Sequence, residues 1–107
     1  MKPSDCVLIG TWQIVEADIW DRAYLDLCGP AKIVLGAKGA GEIAFGALDA
    51  HLDLQYAPST IFFRWNGADD MTQVQGEGAA ELQDDGSLEI EFSYDNGDEA
   101  ILKARRI

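Results

Sequence analysis

Two carboxylate side chains, Glu16 and Asp18, stand two positions apart near the end of the run LIGTWQIVEADIW, just before Trp20. Carboxylates placed close together are suited to general acid–base chemistry, because burial or a neighbouring negative charge drives their pKa values apart. The same two residues would also be ordinary at the water-exposed end of a strand. The pattern therefore indicates either an acid–base pair or a solvated strand end, and the direction of the side chains decides between them.

The direction of these carboxylates depends on the alternation of the strand that carries them. If Trp12 and Ile14 point into a sheet, strict alternation points both carboxylates inward too, to a rim beside Tyr24. The apolar side chains at positions 15, 17 and 19 indicate instead that the inward face switches. A β-bulge near residues 14–16 reconciles the two patterns and turns the carboxylates outward. We expect the bulge.

Other residues capable of chemistry have simpler interpretations. His51, the single histidine, stands between Asp49 and Asp53 on what alternation makes a water-facing strand surface. The segment GAKGAG at residues 36–41 has the glycine content of a phosphate loop but neither its spacing nor a following helix, so it predicts a turn. The acidic turns at residues 69–70, 84–85 and 95–99 do not match a twelve-residue calcium loop. We therefore expect no catalytic residue, no metal site and no cofactor.

The charge of the chain restricts its partners. Nineteen acidic and eight basic side chains give the 107 residues a formal charge of -11. DNA or RNA would be repelled over most of such a surface, which argues against nucleic acid and favours cations or a basic protein. With 48% apolar residues the chain can bury one core, so residues 1–107 are predicted to form one domain.

The N-terminus and the cysteines indicate the compartment. The first ten residues, MKPSDCVLIG, lack the apolar core of a signal peptide, and no stretch approaches the 18 apolar residues of a membrane-spanning helix. A cytoplasmic protein without a membrane partner is therefore expected, and there Cys6 and Cys28 would remain thiols. With one histidine in the chain, they cannot complete a four-ligand zinc site of Cys and His.

The elements that would position these residues are strands of alternating polarity. Alternation predicts eight strands, with one short helix between the first two. Asp21 is placed to cap that helix, and Tyr24 and Leu27 would pack it against one end of the sheet. Turn signals of the Asn-Gly or Asp-Gly type stand at residues 66–67, 85–86 and 96–97. The predicted strands are 8–19, 31–35, 42–45, 48–56, 61–65, 73–82, 88–94 and 100–105.

The connections between these strands indicate how the sheet closes. They are short, which favours antiparallel neighbours, because a parallel crossover needs a dozen or more residues. Closure into an up-and-down barrel removes both edges of the sheet. We therefore predict an all-β fold, an eight-stranded antiparallel up-and-down barrel with one short helix after the first strand. A two-sheet sandwich, or a half-open barrel plugged by the helix, is the alternative.

The residues Gly10-Thr11-Trp12, the following helix, the eight strands and Arg105 near the end of the chain together resemble the lipocalin and wider calycin pattern. In that family a Gly-x-Trp motif packs its Trp across the closed end of a barrel, and an Arg of the last strand lies over the indole. The resemblance implies that Arg105, with Arg106 as the alternative, covers Trp12 through a cation–π contact.

A second resemblance covers nearly the whole chain. The runs IVEADIWDRAYLDLCGPAKIVL and GEIAFGALDAHLDLQY, the RWNGADDM segment and the final acidic hairpin are similar to a family of small uncharacterised cytosolic bacterial proteins. This resemblance implies a shared fold and no activity.

A ligand pocket is one interpretation of the inner face of the sixth strand. An eight-stranded barrel is wide enough to be filled by side chains or to hold one small molecule. Gly76, Gly78 and Ala80 leave space there, which either accommodates Trp12 or Trp65 or forms a small apolar pocket. The candidate ligand-binding residues are Trp20, Tyr24, Trp65, Gly76, Gly78, Glu16 and Asp18.

Three functions are consistent with these residues. The leading hypothesis is a non-enzymatic small β-barrel that binds a small apolar ligand at the end near Trp20 and Tyr24. The second is an acidic interaction module for a basic protein partner, with the water-facing strand surfaces and the loop at Asp69-Asp70 as the contact surface. The third is an enzyme that uses Glu16 and Asp18. The sequence does not distinguish a monomer from a homodimer.

Overall fold

The computed structural model, which describes residues 6–95 and 97–107, is a closed barrel of eight antiparallel strands. The elements are β1 (Gly10–Ala17), α1 (Arg22–Leu25), β2 (Lys32–Leu35), β3 (Ala40–Phe45), β4 (Leu48–Tyr56), β5 (Thr60–Asp69), β6 (Thr72–Leu82), β7 (Leu88–Tyr94) and β8 (Glu99–Arg106). The strands follow one another in chain order, and β1 closes the barrel by pairing with β8. The predicted up-and-down barrel is therefore confirmed. Of the predicted turn at 96–97, Asn96 lies outside the described residues.

Strand β4 shows why this sequence forms strands. Its even-numbered residues from Leu48 to Leu54 are buried, and the odd-numbered residues between them are exposed. One face is dry and the other is wet, as the period of two requires. His51 lies on the wet face, opposite Glu42 on β3 and Asn66 on β5. The interpretation of His51 as a solvated residue is confirmed.

Large apolar side chains fill the inside of the barrel. Trp65 and Phe92 stack with 4.5 Å between their ring centroids, and Phe45 meets Phe92 edge-on at 5.4 Å. Trp12 is buried, and its Nε1 donates a hydrogen bond of 3.0 Å to the Leu8 carbonyl. Full burial of a side chain such as Phe contributes roughly 1.5–3 kcal/mol. This aromatic cluster is therefore a strong contributor to the stability of the fold.

The turn predicted at Asn66-Gly67 is wrong. Strand β5 continues through these residues to Asp69, and Gly67 pairs with Ala50 on β4. A Cβ at Gly67 would lie 2.5 Å from the Ala50 Cα, so glycine serves the close approach of two strands here. The chain reverses instead at Asp70-Met71, where both residues have a positive φ.

The short helix α1 begins directly after Asp21, the residue predicted to cap it. The Asp21 Oδ1 atom accepts a hydrogen bond of 2.9 Å from Tyr24 N. Leu25 is fully buried at the end of the barrel, whereas Leu27 is 63% exposed, so the packing predicted for Leu27 is wrong. Helix α1 ends at Leu25, and the i, i+3 spacing that would align Leu27 with Tyr24 no longer applies beyond that point.

A β-bulge interrupts the pairing of β1 with β8. Ile14 and Glu16 pair with consecutive residues of β8, so Val15 is the extra residue. The bulge predicted near residues 14–16 is confirmed. Beyond it Ala17 packs against the core, whereas Glu16 and Asp18 are exposed. The bulge thus turns both carboxylates away from the interior.

Candidate functional site

Glu16 and Asp18 face an open groove on the outside of the barrel. The groove has a volume of about 780 Å³ and extends from the end of β6 across β7 and β8 to the end of β1. Asp18 is fixed at its edge, because Asp18 Oδ1 accepts a hydrogen bond of 2.9 Å from Ile101 N. We call this feature the acidic groove. Among the described residues it is lined by one basic residue, Lys103, and by the carboxylates of Glu16, Asp18, Glu81, Asp84, Asp85 and Glu89.

Like charges stand directly opposite each other in the acidic groove. Glu81 on β6 pairs with Glu89 on β7, and both side chains are exposed. Such a pair destabilises a sheet. Lys103 on β8 lies opposite both Glu89 and Glu16, and its Nζ approaches Asp85 to 3.8 Å. Six carboxylates and one lysine give the groove a formal charge of -5.

The turn that joins β6 to β7 stabilises the ionised form of Asp85. Its Oδ1 accepts hydrogen bonds from Ser87 Oγ at 2.5 Å and from Ser87 N at 2.9 Å. The hydroxyl bond first, and then the amide bond, lower the pKa of the Asp85 carboxyl from its usual value. Asp85 therefore adds a fixed negative charge to the groove at neutral pH.

Trp20 and Tyr24, two of the predicted ligand-binding residues, come together at the helical end of the barrel. Their rings stack at 5.5 Å, and Trp20 also contacts Phe45 at 5.1 Å. The Tyr24 ring lies so close to Gly46 that a Cβ there would clash with it. The two rings thus cover the core as a packed cap, and their binding of an apolar ligand stays a prediction.

The space predicted beside Gly76 and Gly78 is occupied. A Cβ at Gly76 would lie 2.8 Å from Cζ2 of Trp65, and one at Gly78 would lie 2.6 Å from Cζ of Phe63. Trp65 is fully buried, and its Nε1 donates a hydrogen bond of 3.2 Å to the Ser93 carbonyl. The glycines accommodate two rings of the neighbouring strand β5, one of them Trp65, which favours the predicted packing of an indole here over the alternative of an apolar pocket.

Tyr94 and Asp69 make a polar contact at the helical end of the barrel, near Tyr24. Tyr94 Oη donates a hydrogen bond of 3.2 Å to Asp69 Oδ2. Burial first, and then the negative charge of Asp69, raise the pKa of Tyr94 above its usual value, and the same two causes raise the pKa of Tyr24. Both phenols therefore stay protonated at neutral pH, and neither can serve as a base.

The cation over Trp12 is Arg106, and its assignment to Arg105 is wrong. The Arg106 guanidinium carbon lies 4.3 Å from the centre of the indole. Its Nη1 and Nη2 donate hydrogen bonds of 3.1 and 2.6 Å to the carbonyls of Ile9 and Val7. Trp12 and Arg106 are cross-strand partners on one face, whereas Arg105 points from the other face of β8.

The remaining candidate groups take no part in a common site. Cys6 is buried and Cys28 is exposed, and both are free thiols, as predicted. Within residues 6–95 and 97–107, no three His, Cys, Asp or Glu side chains are placed to hold a metal ion. In the same part of the chain, no helix has the length and apolar character needed to cross a membrane.

Three residues that line the acidic groove with Glu16 were not predicted from the sequence: Glu81, Glu89 and Lys103. For the first two a signal was available, because the hairpin turn at Asp85-Gly86 fixes the register of β6 on β7 and so places one glutamate opposite the other. The position of Lys103 beside Glu16 depends on the closure of β8 onto β1, which no local pattern encodes.

No protein-family model, no curated protein and no solved structure matches this chain.

Proposed function

We propose that this protein is an acidic interaction module that binds a basic segment of a protein partner in the acidic groove. The observation that carries the proposal is the charge of the groove, which six carboxylates and Lys103 line. The formal charge of the whole chain, -11, attracts a basic partner from a distance, and the groove orients it on arrival. Glu16 and Asp18 act here as fixed charges and not as an acid–base pair.

The opposed pair Glu81 and Glu89 supports a binding role. Cross-strand pairs of this kind change stability by roughly 0.2–1 kcal/mol, and the sign is unfavourable for like charges. Lys103 offsets this repulsion from the side of Glu89, whereas Glu81 has Thr60 as its other cross-strand neighbour. Side chains that oppose folding are typical of functional sites. A lysine or arginine of the partner placed between the two carboxylates would remove their repulsion, so the same charges that weaken the free barrel strengthen the complex.

An apolar ligand, the leading hypothesis from the sequence, has less support. Trp65 and Phe63 occupy the inner space beside Gly76 and Gly78, and Trp20 rests on the core. Ligand binding therefore stays a prediction, and titration of the tryptophan fluorescence with a panel of apolar ligands tests it. We expect no saturable quenching, because the interior is already packed.

Titration with a short oligolysine peptide, followed by the backbone amide chemical shifts, tests the interaction module. We expect the shifts to concentrate in the acidic groove. The affinity should fall as salt is added, because exposed charges are screened with a Debye length of about 8 Å at physiological ionic strength. Shifts spread evenly over the barrel, or an affinity that ignores salt, would contradict the proposal.

Two charge-matched double variants separate recognition in the groove from general attraction. Glu81→Gln with Glu89→Gln alters the acidic groove, whereas Glu42→Gln with Asp49→Asn removes equal charge from β3 and β4 on the opposite side of the barrel. We expect a roughly fivefold loss of peptide affinity in the first and a much smaller loss in the second. Equal losses would show that only the net charge matters.

We also propose a cellular compartment and a family relationship for this protein. We place the protein in the cytoplasm, where Cys6 and Cys28 remain thiols. The stack of Arg106 on Trp12 supports kinship with the lipocalin and calycin barrels, and the kinship with the small bacterial family is proposed from the sequence resemblance.

A further inference from the structure

Phe62 is an exposed aromatic side chain on the outer face of β5. It is 53% exposed. Ala79 lies directly opposite it on β6, and the Ala79 methyl group is too small to cover the ring. Both residues line a second open groove, of about 620 Å³, that crosses β4, β5, β6 and β7 on the outside of the barrel. We call it the Phe62 groove.

Carboxylates surround the exposed ring. Phe62 on β5, Ala79 on β6 and Glu91 on β7 lie side by side in one cross-strand row. Asp53 lines the groove from β4, and Glu77 lines it from β6. Asp53 and Glu77 are diagonal neighbours of Phe62, and such neighbours lie about 7–8 Å apart. Glu91 lies two strands from Phe62, which is about 10 Å, so a long side chain that rests on the ring can reach it across Ala79. The groove thus combines an aromatic face with negative charge.

The basic residue of the Phe62 groove, Arg64, is already paired with two carboxylates. Arg64 donates hydrogen bonds of 3.4 Å to Glu77 Oε2 and 3.0 Å to Asp95 Oδ2, which hold its guanidinium between these carboxylates. In the described part of the chain, neither Asp53 nor Glu91 forms an ion pair, and Phe62 carries no cation on its ring. The aromatic face and Glu91 are therefore available to a partner, whereas Asp53 has Arg64 directly opposite it on β5.

We propose that the Phe62 groove holds an arginine of the basic partner, with its guanidinium stacked on the Phe62 ring and hydrogen-bonded to Glu91. The inference rests on the proposed function and specifies the side chain that the partner supplies. A guanidinium is planar, weakly hydrated and able to stack and bond a carboxylate at once, whereas an ammonium is a compact, strongly hydrated charge. Arginine fits this groove better than lysine for that reason.

The position of the Phe62 groove beside the acidic groove allows one segment to occupy both. Ala79 and Glu91 stand two residues from Glu81 and Glu89 on the same strands and the same face. Two residues of a strand span about 7 Å. The occupant is a basic segment and not a second copy of this chain, because two copies with a formal charge of -11 each repel one another.

Two peptides of equal length and charge test the inference, one alternating Arg with Gly and the other alternating Lys with Gly. We expect the arginine peptide to bind the native protein roughly two- to fivefold more tightly. In Phe62→Leu the ratio should fall to about one, because the ring is lost, and in Phe62→Trp the preference should persist or grow. Leu27→Met is the matched control, since it changes an exposed apolar side chain that lines neither groove and leaves the ring intact.

The two proposals fail in different ways. Equal affinity of both peptides for the native protein would overturn the arginine assignment and leave the interaction module standing. An arginine preference that survives in Phe62→Leu would place the arginine elsewhere and would overturn the assignment too. If neither peptide binds at low salt, the interaction module fails together with it. Loss of the preference in Phe62→Leu, with the Leu27→Met control unchanged, supports the assignment.

Discussion

Arg106 makes three contacts at the end of the barrel where β1 begins. Its guanidinium covers Trp12 and holds two backbone carbonyls of the segment that precedes β1. Arg105, its neighbour, has the same chemistry and points from the opposite face of β8. A shift of one residue in a strand exchanges the two faces, so the two arginines are not equivalent.

We expect Arg106→Ala to lower the free energy of unfolding by roughly 1–3 kcal/mol, because it removes a cation–π contact and two hydrogen bonds. The control Arg105→Ala should change it by less than about 0.5 kcal/mol, as is usual for an exposed residue. Urea denaturation of both variants measures the difference. Equal effects of the two substitutions would show that the stack on Trp12 contributes no stability.

Ser87→Ala should raise the pKa of Asp85, because the hydroxyl bond is the larger cause that lowers it. A carboxyl whose pKa is lowered by folding stabilises the folded state above its unfolded pKa of about 3.9, and this contribution is lost as the pH falls through the folded pKa. The variant should therefore lose stability at neutral pH and lose less in acid. NMR titration of the Asp85 carboxyl carbon measures the shift, and an unchanged midpoint would contradict it.

At the scale of elements, unbroken alternation made β4 and β7 predictable to the residue. The bulge in β1 was also predictable, because two alternation patterns conflict on either side of Val15. The turn at Asn66-Gly67 was not, because the preference of that dipeptide for a turn is overridden by the pairing of Gly67 with Ala50. The acidic groove was predictable only in part, since its walls depend on the register of four strands.

The hairpin turn at Asp70-Met71 is strained in a way that a substitution can relieve. Both residues have a positive φ, and Met71 is almost fully exposed. We expect Met71→Gly to raise the free energy of unfolding by about 1 kcal/mol, because glycine accepts this conformation without the Cβ clash. Met71→Ala, which removes the long side chain and keeps the Cβ, is the control and should change little. A gain in both variants would assign the effect to the exposed side chain instead.

At the scale of the whole molecule, the barrel separates its apolar core from the charged outer surface on which we propose recognition. Aromatic rings pack its interior, and the closed sheet leaves its polar side chains on the outside. The outer surface carries both the acidic groove and the Phe62 groove, and each crosses four strands. A charged residue at these grooves can therefore be substituted without disturbing the core. Measuring both stability and affinity in such a variant distinguishes a charge that serves the proposed binding from one that serves folding.

Glu81→Gln, assayed for stability and for affinity in one variant, tests the interaction module most directly. The charged cross-strand neighbour of Glu81 is Glu89, whereas the control residue Glu42 faces Val34 and His51. Glu81→Gln should raise the free energy of unfolding by roughly 0.2–0.5 kcal/mol. It should also weaken oligolysine binding about twofold, while Glu42→Gln changes both much less. A less stable Glu81→Gln protein that binds the peptide as tightly as the native one would contradict the account.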